Sequence, residues 1–157
     1  LPLEVYKKMG LKIKKLSKSS YEVYCKTLKP TKKISTKEFP GYPTDLQAQL
    51  IATQLKSGLK SKVVENIFEN RFIHIPELRR FGANLSIKGN TVTIDKTSNL
   101  LGAEVMATDI RASFSLIIAA MMSKGKTVIN RIYHLDRGYE DFDLKLKKCG
   151  VNISRKK

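Results

Sequence analysis

The sequence predicts an α/β (α+β) domain of repeated β-α-β-α-β-β units, here partial, on three observations. First, Thr44-Asp45-Leu46-Gln47-Ala48 and Thr108-Asp109-Ile110-Arg111-Ala112 lie 64 residues apart, each ahead of an apolar helical run. Second, in both copies a strand pattern follows and then an Arg, within Asn70-Arg71-Phe72 and Asp136-Arg137-Gly138. Third, Met9-Gly10, Phe81-Gly82 and Cys149-Gly150 each close a helix before a strand, which extends the repeat to three. Repeats at this period mean stacked supersecondary units that share one core.

Residues 3–10 read as the end of a helix with Gly10 just past it. Residues 11–15 and 21–25 alternate polar and apolar as the two strands of a hairpin. A polar connection around Pro30 leads to a strand near residues 34–39. Either Thr44 or Asp45 is expected to cap a helix running to about Ser57, with Leu46, Leu50, Ile51 and Leu55 on one side. Lys62 to Phe68 is a β-branched strand. Ile75-Pro76-Glu77 opens a helix that Gly82 ends, and residues 85–87 and 91–94 form a second hairpin. The next unit repeats this order. It has a strand within 100–105, a helix capped by Thr108 to about Ser123, a strand over 126–133, a helix over 139–148 and a strand at 151–154. The helix after Thr108 is apolar nearly all round, which predicts a place inside the core. Residues 1–38 are then the end of a preceding unit plus a connection, 39–95 the first full unit, and 96–157 a second unit without its last strand. Since residue 1 is not Met and the outer units look incomplete, the chain is expected to be a fragment of a longer protein.

Composition narrows the class. A length of 157 residues suits about one domain of roughly 100–200 residues. With 41% apolar and 28% charged residues, the chain has the balance of a soluble globular protein rather than a disordered one. Its longest apolar run, Leu116 to Met122, is far short of the ~20 residues of a membrane span. No charged-then-apolar leader opens it, and a cytoplasmic location is expected. Cys25 and Cys149 lack metal-ligand spacing and are expected as reduced, buried thiols. The net charge of +16 suits an anionic partner. Residues 1–40 contribute +8 of it, as eleven lysines against Glu4, Glu22 and Glu38. Because those lysines alternate with Leu11, Ile13 and Leu16, they read first as a solvated strand face.

Asp45 and Asp109 stand at helix starts, where free amides and the helix dipole favour a carboxylate. They fit two roles: helix caps, or acceptors of a proton from a substrate hydroxyl. Arg71, Arg111 and Arg137 follow the repeat near turns and helix starts, and a guanidinium captures phosphate or carboxylate bidentately. Arg79 and Arg80 lie mid-helix and read as a solvated face. His74 and His134 lie at strand ends without a partner pattern. No Gly-rich phosphate loop, serine elbow or paired cysteine motif appears, and Phe39-Pro40-Gly41-Tyr42-Pro43 reads as a turn.

These same residues carry a resemblance. The runs Phe39 to Gln49, Phe68 to Phe72, Glu77 to Arg80, Val105 to Ala112 and Arg131 to Tyr139 closely resemble the UDP-N-acetylglucosamine 1-carboxyvinyltransferase family of enolpyruvyl transferases. The likeness covers about residues 39–154 and continues more weakly toward the N-terminus. It implies two inside-out α/β barrel domains, each of three β-α-β-α-β-β units, with the active site between them. The other domain of that family carries a cysteine acid and further Lys and Arg residues; neither Cys25 nor Cys149 matches that cysteine's motif. By position, Asp45 is implied to bind the sugar 3-hydroxyl of UDP-N-acetylglucosamine and act as general base, and Ile67 to make a backbone contact to the same substrate. Arg71, Arg111 and Arg137 are implied to bind phosphoenolpyruvate or stabilise the closed state, and Asp109 to serve closure. The implied chemistry needs no metal and no cofactor, and the implied enzyme is a cytoplasmic monomer. A basic RNA-binding module of related topology is the alternative, although the chain lacks a GxxG loop and an aromatic RNP strand. A truncated product that folds without function is a third reading.

Overall fold

The computed structural model describes residues 2–156. The chain runs through α1 (Pro2–Lys8), β1 (Lys12–Lys15), β2 (Tyr21–Tyr24) and β3 (Lys33–Ser35) to a single 3-10 turn at Thr44–Leu46. Then come α2 (Gln47–Gln54), β4 (Ser61–Val64), α3 (Ile75–Arg80), β5 (Leu85–Lys88) and β6 (Thr91–Ile94). The last stretch holds β7 (Glu104–Met106), α4 (Ile110–Met122), β8 (Val128–Asn130), α5 (Tyr133–Asp136) and α6 (Phe142–Lys148). No helix among the described residues is long and apolar enough to cross a membrane.

Two parallel crossovers organise the chain. In the first, α2 joins β3 to β4, and hairpin β5–β6 then adds to β4, giving the mixed order β3-β4-β6-β5. In the second, α4 joins β7 to the parallel strand β8. The sheet sends Val63, Leu85, Val92 and Ile94 inward, where they meet Leu50, Ile51 and Leu55 of the α2 segment. The amphipathic reading of that helix needs revision. Gln47 through Ala52 are all buried, because α4 lies along the face that the pattern left polar. Ala48 and Ala52 of α2, and Ala112, Ser115 and Ala119 of α4, let the two backbones approach. Two helical hydroxyls are satisfied locally, Ser115 Oγ donating to Ala112 O at 2.5 Å and Thr53 Oγ1 to Gln49 O at 2.8 Å, whereas Gln47 Nε2, Gln49 Oε1 and Gln54 Nε2 are buried without a partner among the described residues. A smaller cluster of Ile117, Leu135 and Phe142 fastens α5 and α6 to the outer side of α4.

Three expectations are corrected. Val151 to Ser154 form no strand, because no neighbouring strand offers them ladder partners. Arg155 instead holds this segment to Asp136 and Asp143. Cys25 and Cys149 are free as expected but exposed, since they follow an uncovered hairpin and close a surface helix. Arg79 and Arg80 do more than face solvent. Arg79 Nε donates to Leu85 O at 3.0 Å, and Arg80 Nε to Glu104 O at 2.7 Å. Glu77 Oε2 accepts from Met106 N at 2.8 Å, so α3 caps the edge of β7 that β8 leaves open.

Gly102 lies where strand-like chain passes over Lys126. Its amide donates to Lys124 O at 2.7 Å, and a Cβ here would meet Lys126 backbone nitrogen at 2.8 Å and overlap the carbonyl. Gly102→Ala is therefore expected to destabilise the fold by about 1–3 kcal/mol, the usual cost of overpacking, read as a lower denaturation midpoint. An unchanged midpoint would mean the two segments separate freely. His74, just ahead of α3, is 1% exposed, and burial pushes its imidazole down to about 4, against a smaller opposing pull from Asp109. The unfolded chain therefore binds a proton at His74 between about pH 6.5 and 4 that the folded chain refuses. Stability is expected to fall across that window as pH drops, and the fall should shrink in His74→Gln. An equal fall in both proteins would remove His74 as its cause.

Candidate active site

The site starts from a buried carboxylate. Glu65, one residue beyond β4, is 2% exposed and accepts four hydrogen bonds. Oε1 takes the Thr36 hydroxyl at 2.9 Å, Ile67 N at 2.9 Å and Phe68 N at 3.2 Å, while Oε2 takes the Thr44 hydroxyl at 2.8 Å. Thr36 Oγ1 in turn accepts Asn66 N at 2.9 Å. One side chain thus joins the end of β3, the start of the 3-10 turn and the loop after β4. Burying an ionised group requires such a set of donors.

That engagement overturns the expected cap. Neither Thr44 nor Asp45 hydrogen-bonds the α2 amides, because Glu65 claims the Thr44 hydroxyl and the entry tightens into a 3-10 turn. Buried Tyr42 supports the turn from behind, donating to Leu46 O at 3.3 Å. Asp45 is turned outward, its side chain 58% exposed, and its Oδ1 receives Arg111 Nε at 2.7 Å and Arg71 Nη2 at 3.1 Å. Two of the three expected arginines therefore meet on the expected base.

Each arginine is aimed by its own element. Arg71 follows Asn70, whose φ of 53° reverses the loop, and its guanidinium lies over the Phe68 ring at 4.6 Å. Arg111 is the second residue of α4. Asp109, not Thr108, caps that helix, its Oδ1 accepting Arg111 N at 2.8 Å and Ala112 N at 2.9 Å. The carboxylate wins because it takes two amides at once, and the Thr108 hydroxyl is left buried without a partner. Asp109 thus acts on the site by orienting the helix start that carries Arg111.

Arg137 closes α5, its backbone amide donating to Leu135 O, and its exposed side chain makes no ion pair or hydrogen bond among the described residues. The next residue explains its place. A Cβ on Gly138 would collide with Ile110 Cδ1, so this turn packs closely onto the first residue of α4 and a side chain there would require Ile110 to shift. Arg137 is brought beside the helix start that bears Arg111 without touching Asp45. Ile67 and Arg71 line an open groove of about 770 Å³ between residues 65–73 and hairpin β5–β6. The Ile67 amide is taken by Glu65 at 2.9 Å.

Glu65 is the functional residue that sequence reasoning missed. Its only signal was an acidic residue directly after the β-branched run Lys62-Val63-Val64. His74 packs behind the arginine loop as a neutral core residue with its Nε2 unpartnered. Chemically, the arrangement offers one exposed carboxylate flanked by guanidinium groups, a setting for an anionic molecule that must also give up a proton.

Known proteins are similar to this chain in sequence and fold. The chain is 57% identical over 122 residues to the UDP-N-acetylglucosamine 1-carboxyvinyltransferase of Rhodopseudomonas palustris (strain TIE-1), covering 78% of this chain and 28% of that protein. The protein of the same name from Pelagibacter ubique (strain HTCC1062) is 51% identical over 155 residues, 98% of this chain and 36% of its own length. The chain therefore spans about a third of these relatives. Among solved structures, the enolpyruvyl transferase NikO from Streptomyces tendae superposes with a TM-score of 0.84 at 25% identity, over 98% of this chain and 35% of that one. An EPSP synthase from Acinetobacter baumannii gives 0.70 at 14% identity, with coverage of 98% and 36%, and shares the fold. The family model described as EPSP synthase (3-phosphoshikimate 1-carboxyvinyltransferase) matches residues 2–146, and the chain belongs to that family.

Proposed function

We propose that this chain supplies one side of the active site of a UDP-N-acetylglucosamine 1-carboxyvinyltransferase, the step that commits precursors to peptidoglycan. Through it the enzyme would serve cell wall biogenesis, cell shape and cell division in the cytoplasm. The convergence of Arg71 and Arg111 on exposed Asp45 carries the reading. The relatives' printed name supports the choice of substrates, UDP-N-acetylglucosamine and phosphoenolpyruvate. Residues 39–95 and 96–157 act as successive units of one domain, with 1–38 as the end of an earlier unit. The remaining domain of the same monomeric enzyme faces them, and the chain alone is inactive because that wall of the cleft is missing.

In this mechanism the Asp45 carboxylate takes the proton of the sugar 3-hydroxyl. The oxygen then adds to C2 of phosphoenolpyruvate while C3 gains a proton from an acid on the facing domain. Loss of that C3 proton expels phosphate and regenerates the double bond as an enol ether. Arg71, Arg111 and Arg137 hold the phosphate and carboxylate in register and offset charge during addition. The guanidinium groups that now rest on Asp45 exchange it for the incoming anion, which frees the carboxylate to act as a base. Ile67 contacts the nucleotide sugar through its carbonyl, and Asp109 serves closure through α4. No metal or cofactor enters these steps.

A basic RNA-binding module is the second reading, favoured by the +16 charge and by exposed Tyr21 and Tyr24 facing the lysines of β1. A titration with RNA across salt separates the two, since a module would bind tightly with a steep salt slope. The transferase reading makes its own demand. Asp45→Ala in the full-length enzyme is expected to lower turnover by roughly 10²–10⁴, the usual contribution of a positioned base. Near-normal turnover would overturn the assignment of Asp45.

A further inference from the structure

We infer that Arg155 is a positioning residue that keeps Arg137 available for an anionic substrate, by holding the neighbouring Asp136 carboxylate away from it. The inference rests on the proposed role of Arg137. Asp136 immediately precedes Arg137 at the end of α5, so its carboxylate is a charged neighbour of that guanidinium along the chain. Arg155 engages that carboxylate. Its Nη2 meets Asp136 Oδ1 at 2.6 Å and its Nη1 meets Asp136 Oδ2 at 3.0 Å, a bidentate grip that uses both oxygens. Its Nε reaches Asp143 Oδ1 at 3.0 Å, and the guanidinium lies over the Phe142 ring at 5.1 Å.

Three contacts on two helices fix this guanidinium more firmly than a lone surface pair would. The Asp136 carboxyl is lowered chiefly by the Arg155 hydrogen bond, against a smaller upward push from burial and with help from the Arg155 charge. Arg137 is left without an ion pair among the described residues, although it is bonded to an aspartate. Two carboxylates, Asp136 and Asp143, stand beside the turn, and Arg155 is the cation that both engage. Without it their uncompensated charge would repel a phosphate or carboxylate group approaching Arg137. Gly138 N and Tyr139 N both donate to Leu135 O, at 3.0 and 2.9 Å, so the backbone of the turn is held by bonds that do not involve Arg155.

The test uses the full-length enzyme, with turnover of UDP-N-acetylglucosamine and phosphoenolpyruvate by the unaltered protein establishing the reading on which the inference rests. Arg155→Ala is expected to raise KM for phosphoenolpyruvate about fivefold, with KM for the nucleotide sugar unchanged. Arg155→Lys should fall between, because an ammonium cannot grip both oxygens. Adding Asp136→Asn to Arg155→Ala should restore KM, since a neutral amide neither captures Arg137 nor repels an anion. A tether that merely stabilised the fold would not be rescued this way. If Arg155→Ala proves insoluble, Asp136→Asn alone decides: KM for phosphoenolpyruvate should stay level or fall. Its rise, an unchanged KM in Arg155→Ala, or failure of the double variant to recover would overturn the inference.

Discussion

The buried carboxylate of Glu65 is the constraint on which the candidate site depends. An ionised group taken out of water costs several kcal/mol unless donors replace the solvent. Glu65 is given four, from Thr36, Thr44, Ile67 and Phe68, which belong to three separate stretches of chain. Each donor therefore has one place to be. The same network places Asp45 one residue past Thr44, and it turns the chain toward Asn70 and Arg71. Substituting Glu65 by an apolar residue of similar size would leave two hydroxyls and two amides to find partners in a space that has none.

The same network explains why one repeated motif has two outcomes. In the first crossover Thr36 N donates to Val64 O, and in the second Ala107 N donates to Asn130 O, so Thr36 corresponds to Ala107 and Glu65 to Arg131. The second unit has neither the carboxylate nor the first hydroxyl. Thr108 is thus left with an unpartnered hydroxyl, while Asp109 falls back on the open amides of α4. In the first unit the pull of Glu65 on Thr44 denies Asp45 that position and sends it outward. The aspartates are alike in sequence context and differ in role because of a residue about 20 positions downstream in each unit.

This marks the limit of what could be read from the chain. Helix ends at Gly10 and Gly82, the alternating hairpins and the crossover order were legible because they follow from local backbone preference and side-chain period. Asp45, Arg71 and Arg111 were legible as a group because the motif resemblance names them together, and the structure brings their side chains into contact. The choice of cap was not legible, since Thr and Asp both serve and a distant carboxylate decides between them. Nor was the burial of both faces of α2, because the polar face of a pattern records Gln47 and Gln49 but not the α4 helix that covers them. Residues 151–154 carry a strand-like alternation and lack the partner that would make it a strand.

Rigidity and responsiveness are assigned to different carboxylates. Glu65 is enclosed and fully engaged, so moving it would strand buried donors. Asp45 is more than half exposed, and its pairs with Arg71 and Arg111 are solvent-screened contacts worth about 1 kcal/mol or less each. An arriving dianion competes easily for both guanidinium groups, because it offers more charge and more acceptor oxygens than one carboxylate. The frame that holds Asp45 does not have to give when those pairs break, since Thr44 and Tyr42 fix the turn through contacts that involve no arginine. Under the proposed mechanism, a base freed only when an anion replaces it, on a frame that stays still, would join substrate capture to proton transfer without any large motion within this chain.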